Sequence, residues 1–171
     1  MANVFDQNPR VNFREKIVPW EKLPGWCAGI RASGKKLVVT NGVFDLLHSG
    51  HVTYLENARN LGGALLVGLT NDSNVQDLKG PDRPVNPEQD RAAVLAAIES
   101  VDGVCVFPDR TAMQFLSTAK PDIYVKGGDY TLNTINQDEH RLMERMGVKI
   151  VIIPGVPGRS TTTILEKISK L

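Results

Sequence analysis

The sequence predicts a doubly wound α/β domain, and three observations carry that prediction. Short runs rich in Val, Ile and Leu alternate with stretches of helical periodicity, the pattern of parallel strands buried on both faces and joined by crossover helices. Glycine and proline punctuate the junctions, as at Gly62-Gly63 and Pro154-Gly155. At 171 residues the chain suffices for one such domain with a real core and is too short for two ordinary ones.

Residues 1–17 lack periodicity and read as a polar N-terminal arm ahead of a domain over 18–171. From Trp20 the apolar residues Leu23, Trp26, Cys27 and Ile30 recur at helical spacing, with Pro24 in the first turn and Gly34 placed as a C-cap. Residues 37–40 read as strand 1. A glycine turn with two histidines follows, then a helix over about 50–61, and residues 64–69 read as strand 2. Thr70-Asn71-Asp72-Ser73 opens a long polar loop running through Lys79-Gly80-Pro81-Asp82-Arg83-Pro84. Asn86-Pro87-Glu88-Gln89 reads as a helix start, with Asn86 as N-cap and Pro87 at the first position. Residues 104–107 are strand 3, 111–118 a short helix and 122–126 strand 4. A polar helix over about 136–146 stops at Gly147, and 148–153 are strand 5. The loop 154–159 then delivers Ser160-Thr161-Thr162 to a final helix. Right-handed crossovers make this a Rossmann-like parallel five-stranded sheet in the order 3-2-1-4-5, with helices on both faces. Ligands in such sheets bind beyond the carboxyl ends of the strands where the order reverses. There the histidine turn after strand 1 faces the Lys126 loop after strand 4.

Twenty basic against nineteen acidic residues leave a net charge of +1, which gives no footprint for nucleic acid or an anionic membrane. Any anion is therefore held by placed groups rather than by a global field. The two cysteines, Cys27 and Cys105, have no CxxC spacing, and Cys105 reads as a small buried hydrophobe. The N-terminus has no secretory h-region and no apolar run reaches membrane-spanning length. The expectation is a soluble cytoplasmic protein.

The chemistry concentrates in Thr40-Asn41-Gly42-Val43-Phe44-Asp45-Leu46-Leu47-His48-Ser49-Gly50-His51. Histidines three apart at a helix start share one face with the exposed N–H groups and the positive end of the dipole. That is a phosphate site with two added donors, and Gly50, lacking a Cβ, lets a flat group or backbone come close. A zinc pair would need a third ligand, and the remaining histidine, His140, sits in a polar helix without an HExxH pattern. No GxGxxG follows strand 1, against a dinucleotide turn. A helix start disfavours imidazolium while a polyphosphate favours it, so both protonation states stay open here.

The stretch Asn41-Gly42-x-Phe44 to His48-x-Gly50-His51 resembles the HxGH signature of the nucleotidyltransferase superfamily, and Arg159-Ser160-Thr161-Thr162-Thr163 resembles its second signature, the helix start that binds nucleotide phosphates. Asn71-Asp72-Ser73, Lys79-Gly80-Pro81-x-Arg83-Pro84, Asp90-Arg91, Lys126-Gly127-Gly128-Asp129-Tyr130 and Val156-Pro157-Gly158-Arg159 sharpen the likeness to the heptose 1-phosphate adenylyltransferase (ADP-heptose synthase) branch, over roughly residues 20–171. Val43 stands where that branch usually has Cys, and 131–139 replaces a more apolar, glycine-containing stretch.

The resemblance implies transfer of AMP from ATP to a heptose 1-phosphate, with a cytidylyltransferase acting on glycerol phosphate or a similar polyol phosphate, and a non-catalytic nucleotide-binding module, as alternatives. It implies His48, His51 and Lys79 as catalytic groups, with Lys79 on a mobile loop. Asn41, Gly42, Phe44, Gly50, Arg91, Lys126, Gly127, Asp129, Arg159, Ser160, Thr161 and Thr162 would hold the nucleotide. Asp72, Lys79 and Arg83 would hold the acceptor. Arg91 reads equally as a surface charge, Lys126 as a partner of Asp129 or Asp122, and Asp45 as a turn-stabilising carboxylate. No protein-held metal is expected; Mg²⁺ would arrive bound mainly through the triphosphate. The likeness further implies a homodimer, the stand-alone form, and a separate sugar kinase upstream.

Overall fold

A computed structural model describes residues 12–128 and 130–171. Five strands, β1 (Leu37–Gly42), β2 (Ala64–Thr70), β3 (Gly103–Phe107), β4 (Ile123–Gly128) and β5 (Lys149–Pro154), form one parallel sheet in the order β3-β2-β1-β4-β5. The expected order holds. Side chains alternate across each strand, so Leu37 and Val39 enter one apolar layer while Val38 enters the other. The first layer takes Leu23 and Cys27 from α1 (Leu23–Ala32), Phe115 and Leu116 from α5 (Met113–Ala119), and Met143 from α6 (Gln137–Arg145). The second takes Leu55 and Ala58 from α2 (Ser49–Arg59) and Ala92, Leu95 and Ala96 from α4 (Glu88–Ala97). Each wholly buried leucine contributes about 1.5–3 kcal/mol of transfer free energy. β2, between β3 and β1, is buried along its whole length.

Burial also accounts for the cysteines. Cys27 and Cys105 are free and buried in the first layer, which pushes their thiols up to about 11 and about 12. They serve as small hydrophobes.

Three local expectations change. The described end of the polar arm is docked: Phe13–Lys16 makes a 3-10 turn, Ile17 bridges to Val104, and the Val18 N–H donates to the Val104 carbonyl at 2.8 Å. Phe13 and Ile17 pack on the second layer, covering part of an edge strand that would otherwise present bare backbone. Residues 1–11 lie outside the described chain. The loop expected over 70–84 contains a helix, α3 (Asp72–Lys79), capped by Asn71, whose Oδ1 accepts from the Asn74 N–H at 2.9 Å. Lys79 therefore ends a helix rather than riding a mobile loop. Finally, α4 begins at Glu88 with Pro87 as its cap, because the Asn86 side chain donates to the Asp45 carbonyl instead of capping.

Candidate active site

A cleft of about 1120 Å³ opens at the carboxyl ends of the strands, walled by the β1–α2 turn, Lys79, the start of α7 (Thr161–Ile168), and the ends of β3 and β4. The turn after β1 shapes it. Phe44 has φ 47, a left-handed conformation that a bulky residue adopts at a cost of order 1–3 kcal/mol unless its surroundings over-determine it. Here they do. Arg91 Nη1 donates to the Val43 carbonyl at 2.6 Å, and the buried Asp45 carboxylate accepts from the N–H groups of Val85 and Asn86 at 2.8 and 3.2 Å. Arg83 Nη2 completes that clamp at 2.6 Å. Asp45 is the turn-stabilising carboxylate expected.

His48 is the N-cap of α2, and its Nδ1 accepts the Gly50 N–H at 3.1 Å. A ring nitrogen that accepts carries no proton, so the hydrogen of this imidazole is on Nε2. The His51 ring lies 4.0 Å from it, centroid to centroid, and 5.5 Å from that of Phe44. Nδ1 of His51 is buried without a hydrogen-bond partner in the structure. Burial, and then the charge of Arg159, lowers the His48 pKa. Burial, then His48, then Lys79 brings that of His51 to about 4. Both rings are thus neutral donors near pH 7, which the sequence alone left open. Gly50 does different work from that expected. A Cβ there would stand 2.9 Å from His48 Cε1 and 3.3 Å from Arg159 Cβ, so the vacancy is filled by the protein's own ring.

Facing the histidines is the start of α7. Ser160 caps it, its Oγ accepting from the Thr163 N–H at 3.1 Å, and Thr161 Oγ1 donates to the Leu46 carbonyl at 3.3 Å, which ties this helix to the histidine turn. Arg159, Ser160, Thr161 and Thr163 line the cleft. Thr162 is exposed outside it; Thr163, one position on, takes the place expected of it.

On the other flank, Lys126 is buried at the end of β4. Of the partners expected, Asp122 instead accepts from the Leu37 N–H at 2.7 Å and Asp129 lies outside the described residues; Glu139 of α6 stands 3.7 Å from Nζ. Burial lowers the Lys126 pKa and Glu139 pulls it back up. Gly127 lines the cleft and also makes room for the protein itself, since a Cβ there would meet the Tyr54 ring at 2.4 Å. The Tyr54 hydroxyl in turn lies 2.6 Å from Thr40 Oγ1.

Three expected ligands are engaged elsewhere. Arg91 is 2% exposed and donates to the carbonyls of Asn86, Val43 and Thr70 and to Asp72 Oδ1. It is a buried strut rather than a surface charge, and it holds Asp72. Arg83 is held by Asp45. None of Arg91, Asp72 and Arg83 lines the cleft. Lys79 does, together with Asn41, Gly42 and Phe44. Its pKa is lowered by burial, then by Arg83, with Asp45 acting the other way. Tyr130, the last residue of the Lys126 motif, also lines it, as do Arg110 and Thr111 after β3 and Glu139 of α6; sequence reasoning missed these last three, because nothing local in a polar loop or helix marks which face the topology turns inward.

The described cleft has two carboxylates, Asp45 and Glu139. Both are already hydrogen-bonded within the protein, and no group of three metal-ligating side chains occurs among the described residues. No described helix is long and apolar enough to cross a membrane.

Comparison with known proteins agrees with this geometry. The cytidylyltransferase-like family model matches residues 39–169. The chain is 46% identical over 155 residues to the bifunctional protein HldE of Magnetococcus marinus, covering 91% of this chain and 31% of that protein. It is 49% identical over 155 residues to the bifunctional protein HldE of Methylobacillus flagellatus, again covering 91% and 31%. The chain thus spans about a third of the length of these curated relatives. The crystal structure of the lipopolysaccharide core biosynthesis protein from Thermoplasma volcanium superposes with a TM-score of 0.59 at 27% identity, covering 72% of this chain and 98% of that one. With this match laid over the paired histidines and the capped α7, the chain belongs to the cytidylyltransferase-like family and carries a nucleotidyltransferase domain.

Proposed function

We propose that the protein transfers AMP from ATP to a heptose 1-phosphate, giving ADP-heptose and pyrophosphate. An oxygen of the acceptor phosphate attacks the α-phosphorus; the bond from that phosphorus to the oxygen bridging the β-phosphate breaks, and its electron pair leaves with pyrophosphate. The observation that carries the reading is the pair of histidine rings, 4.0 Å apart and tilted, opposite the capped start of α7. Catalysis of this kind needs no nucleophile, only positioning and donors aimed where charge builds. His48, through Nε2–H, and His51 donate to the α-phosphate oxygens. The α7 N–H groups, Ser160 and Arg159 hold the β- and γ-phosphates, Lys126 fixes the nucleotide from the β4 side, and Lys79 closes the mouth. Mg²⁺ neutralises phosphate charge when bound with the triphosphate. The heptose acceptor is supported by the likeness to proteins named HldE and to a lipopolysaccharide core biosynthesis protein.

Pyrophosphate release across a matrix of nucleoside triphosphates and sugar or polyol phosphates tests this. The expected outcome is a single strong pair, ATP with a heptose 1-phosphate. Turnover of CTP with glycerol phosphate would replace the acceptor and base, and silence across the matrix would leave a binding module.

A further inference from the structure

Helix α6 buries Glu139 and Met143. Met143 joins the apolar layer; Glu139 does not. It stands three residues after the N-cap Asn136, where a glutamate ordinarily reaches back to the cap's own N–H. Its carboxylate turns inward instead. Oε2 accepts from the Tyr124 hydroxyl at 2.7 Å and lies 3.7 Å from Lys126 Nζ, while Oε1 accepts from the Ala112 N–H at 3.3 Å. The Tyr124 oxygen is also 2.7 Å from Asn41 Oδ1. Four side chains from β1, β4 and α6 thus make one polar chain beneath the cleft floor. A helix needing only to pack gains nothing from a buried carboxylate, because desolvation opposes it.

We propose that Glu139 is a positioning residue for the nucleotide: it keeps the Lys126 side chain charged and fixed at the cleft floor. This rests on the nucleotide-binding reading above. Around the Lys126 ammonium, α6 supplies Glu139, while Tyr124 and Tyr130 place rings at 5.4 and 5.5 Å. From α2, the Tyr54 hydroxyl donates to the neighbouring Val125 carbonyl, and β5 sets the uncharged Ile152 alongside. Glu139 is the one carboxylate paired with Lys126 among the described residues. Removing its charge leaves a buried ammonium without that carboxylate, and desolvation then favours the neutral amine. The charged form grips phosphate, so affinity then falls as pH rises.

The experiment measures binding of MgATP, and of inorganic tripolyphosphate, to the full chain at about pH 7 and about pH 9, a window below the ordinary lysine pKa. Wild type should hold its affinity within about threefold between the two, while Glu139→Gln should lose about tenfold or more on going from the lower pH to the higher, as burial alone predicts for lysine. Adding Lys126→Arg to Glu139→Gln should abolish that pH dependence, since guanidinium stays protonated. Glu139→Gln that tracks wild type, or is equally weak at both pH values, overturns the proposal, as does persistence of the alkaline loss in the double variant. If Glu139→Gln fails to fold, Glu139→Asp replaces it, with an alkaline loss of about fivefold or more expected from the loosened pair and a loss no larger than that of wild type contradicting it. Wild type that binds neither ligand would sink the nucleotide site itself, a result distinct from a pH-insensitive variant on a wild type that binds.

Discussion

At the scale of single residues, the two histidines are the part of the site most legible in the sequence. Their spacing at a helix start defines a shared face, and the structure adds their protonation state through one hydrogen bond, Gly50 N–H to His48 Nδ1. His48→Ala and His51→Ala are each expected to lower kcat about 10²–10³-fold, as removal of a transition-state donor does, with ATP affinity nearly unchanged. Steady-state kinetics beside direct ATP binding checks this. Acid should have a related effect. Protonating His48 sets an Nδ1–H against the Gly50 N–H, so turnover is expected to hold near neutrality and fall on acidification toward the lowered histidine values, about 4 for His51. The sign for stability is the same. The unfolded chain binds the His51 proton below about 6.5 and the folded chain only near 4, so stability is present above that window and is lost as pH falls through it. Thermal melts from neutral to acid pH check it. Arg91, Asp72 and Arg83 were illegible for a physical reason: a cation on a short polar segment looks the same whether it meets phosphate or a backbone carbonyl, and tertiary structure alone decides which.

At the scale of elements, the strands were readable because apolar runs bounded by glycine and proline have few other interpretations. Helix α3 was not, because it buries little beyond Asn74 and Val75 and so carries no apolar stripe. The elements that build the site are held by specific struts. Arg91 joins α4 to the ends of β1 and β2 through three carbonyls and Asp72. Arg91→Ala is therefore expected to destabilise the fold by about 2–4 kcal/mol, because three carbonyls lose a buried donor, and Arg91→Lys should recover little because ammonium lacks the guanidinium fork. Urea unfolding of both variants measures it. β4 depends on Tyr54 lying across Gly127. Gly127→Ala should cost about 1–3 kcal/mol by overpacking and displace the Tyr54 hydroxyl from Thr40, which thermal melts and tyrosine fluorescence would register.

At the scale of the whole molecule, a net charge of +1 means that phosphate is drawn not by a broad positive field but by groups converging on one end of a sheet. His48, His51, Lys79, Lys126, Arg159 and the start of α7 come from distant parts of the sequence, and the order β3-β2-β1-β4-β5 brings them to a single cleft. That convergence was foreseeable from topology, whereas the inward turn of Glu139 and the cleft-lining Arg110 were not, since each depends on the rotation of its own loop or helix against the sheet. The account's central claim is transfer at the α-phosphorus in this cleft. Its most direct test incubates wild type, His48→Ala and His51→Ala with ATP and a heptose 1-phosphate, and follows pyrophosphate and nucleotide sugar in the same reaction. Equimolar ADP-heptose and pyrophosphate from wild type, with both variants about 10²–10³-fold slower, is the predicted result; no nucleotide sugar from folded wild type, or undiminished turnover in either variant, would contradict it.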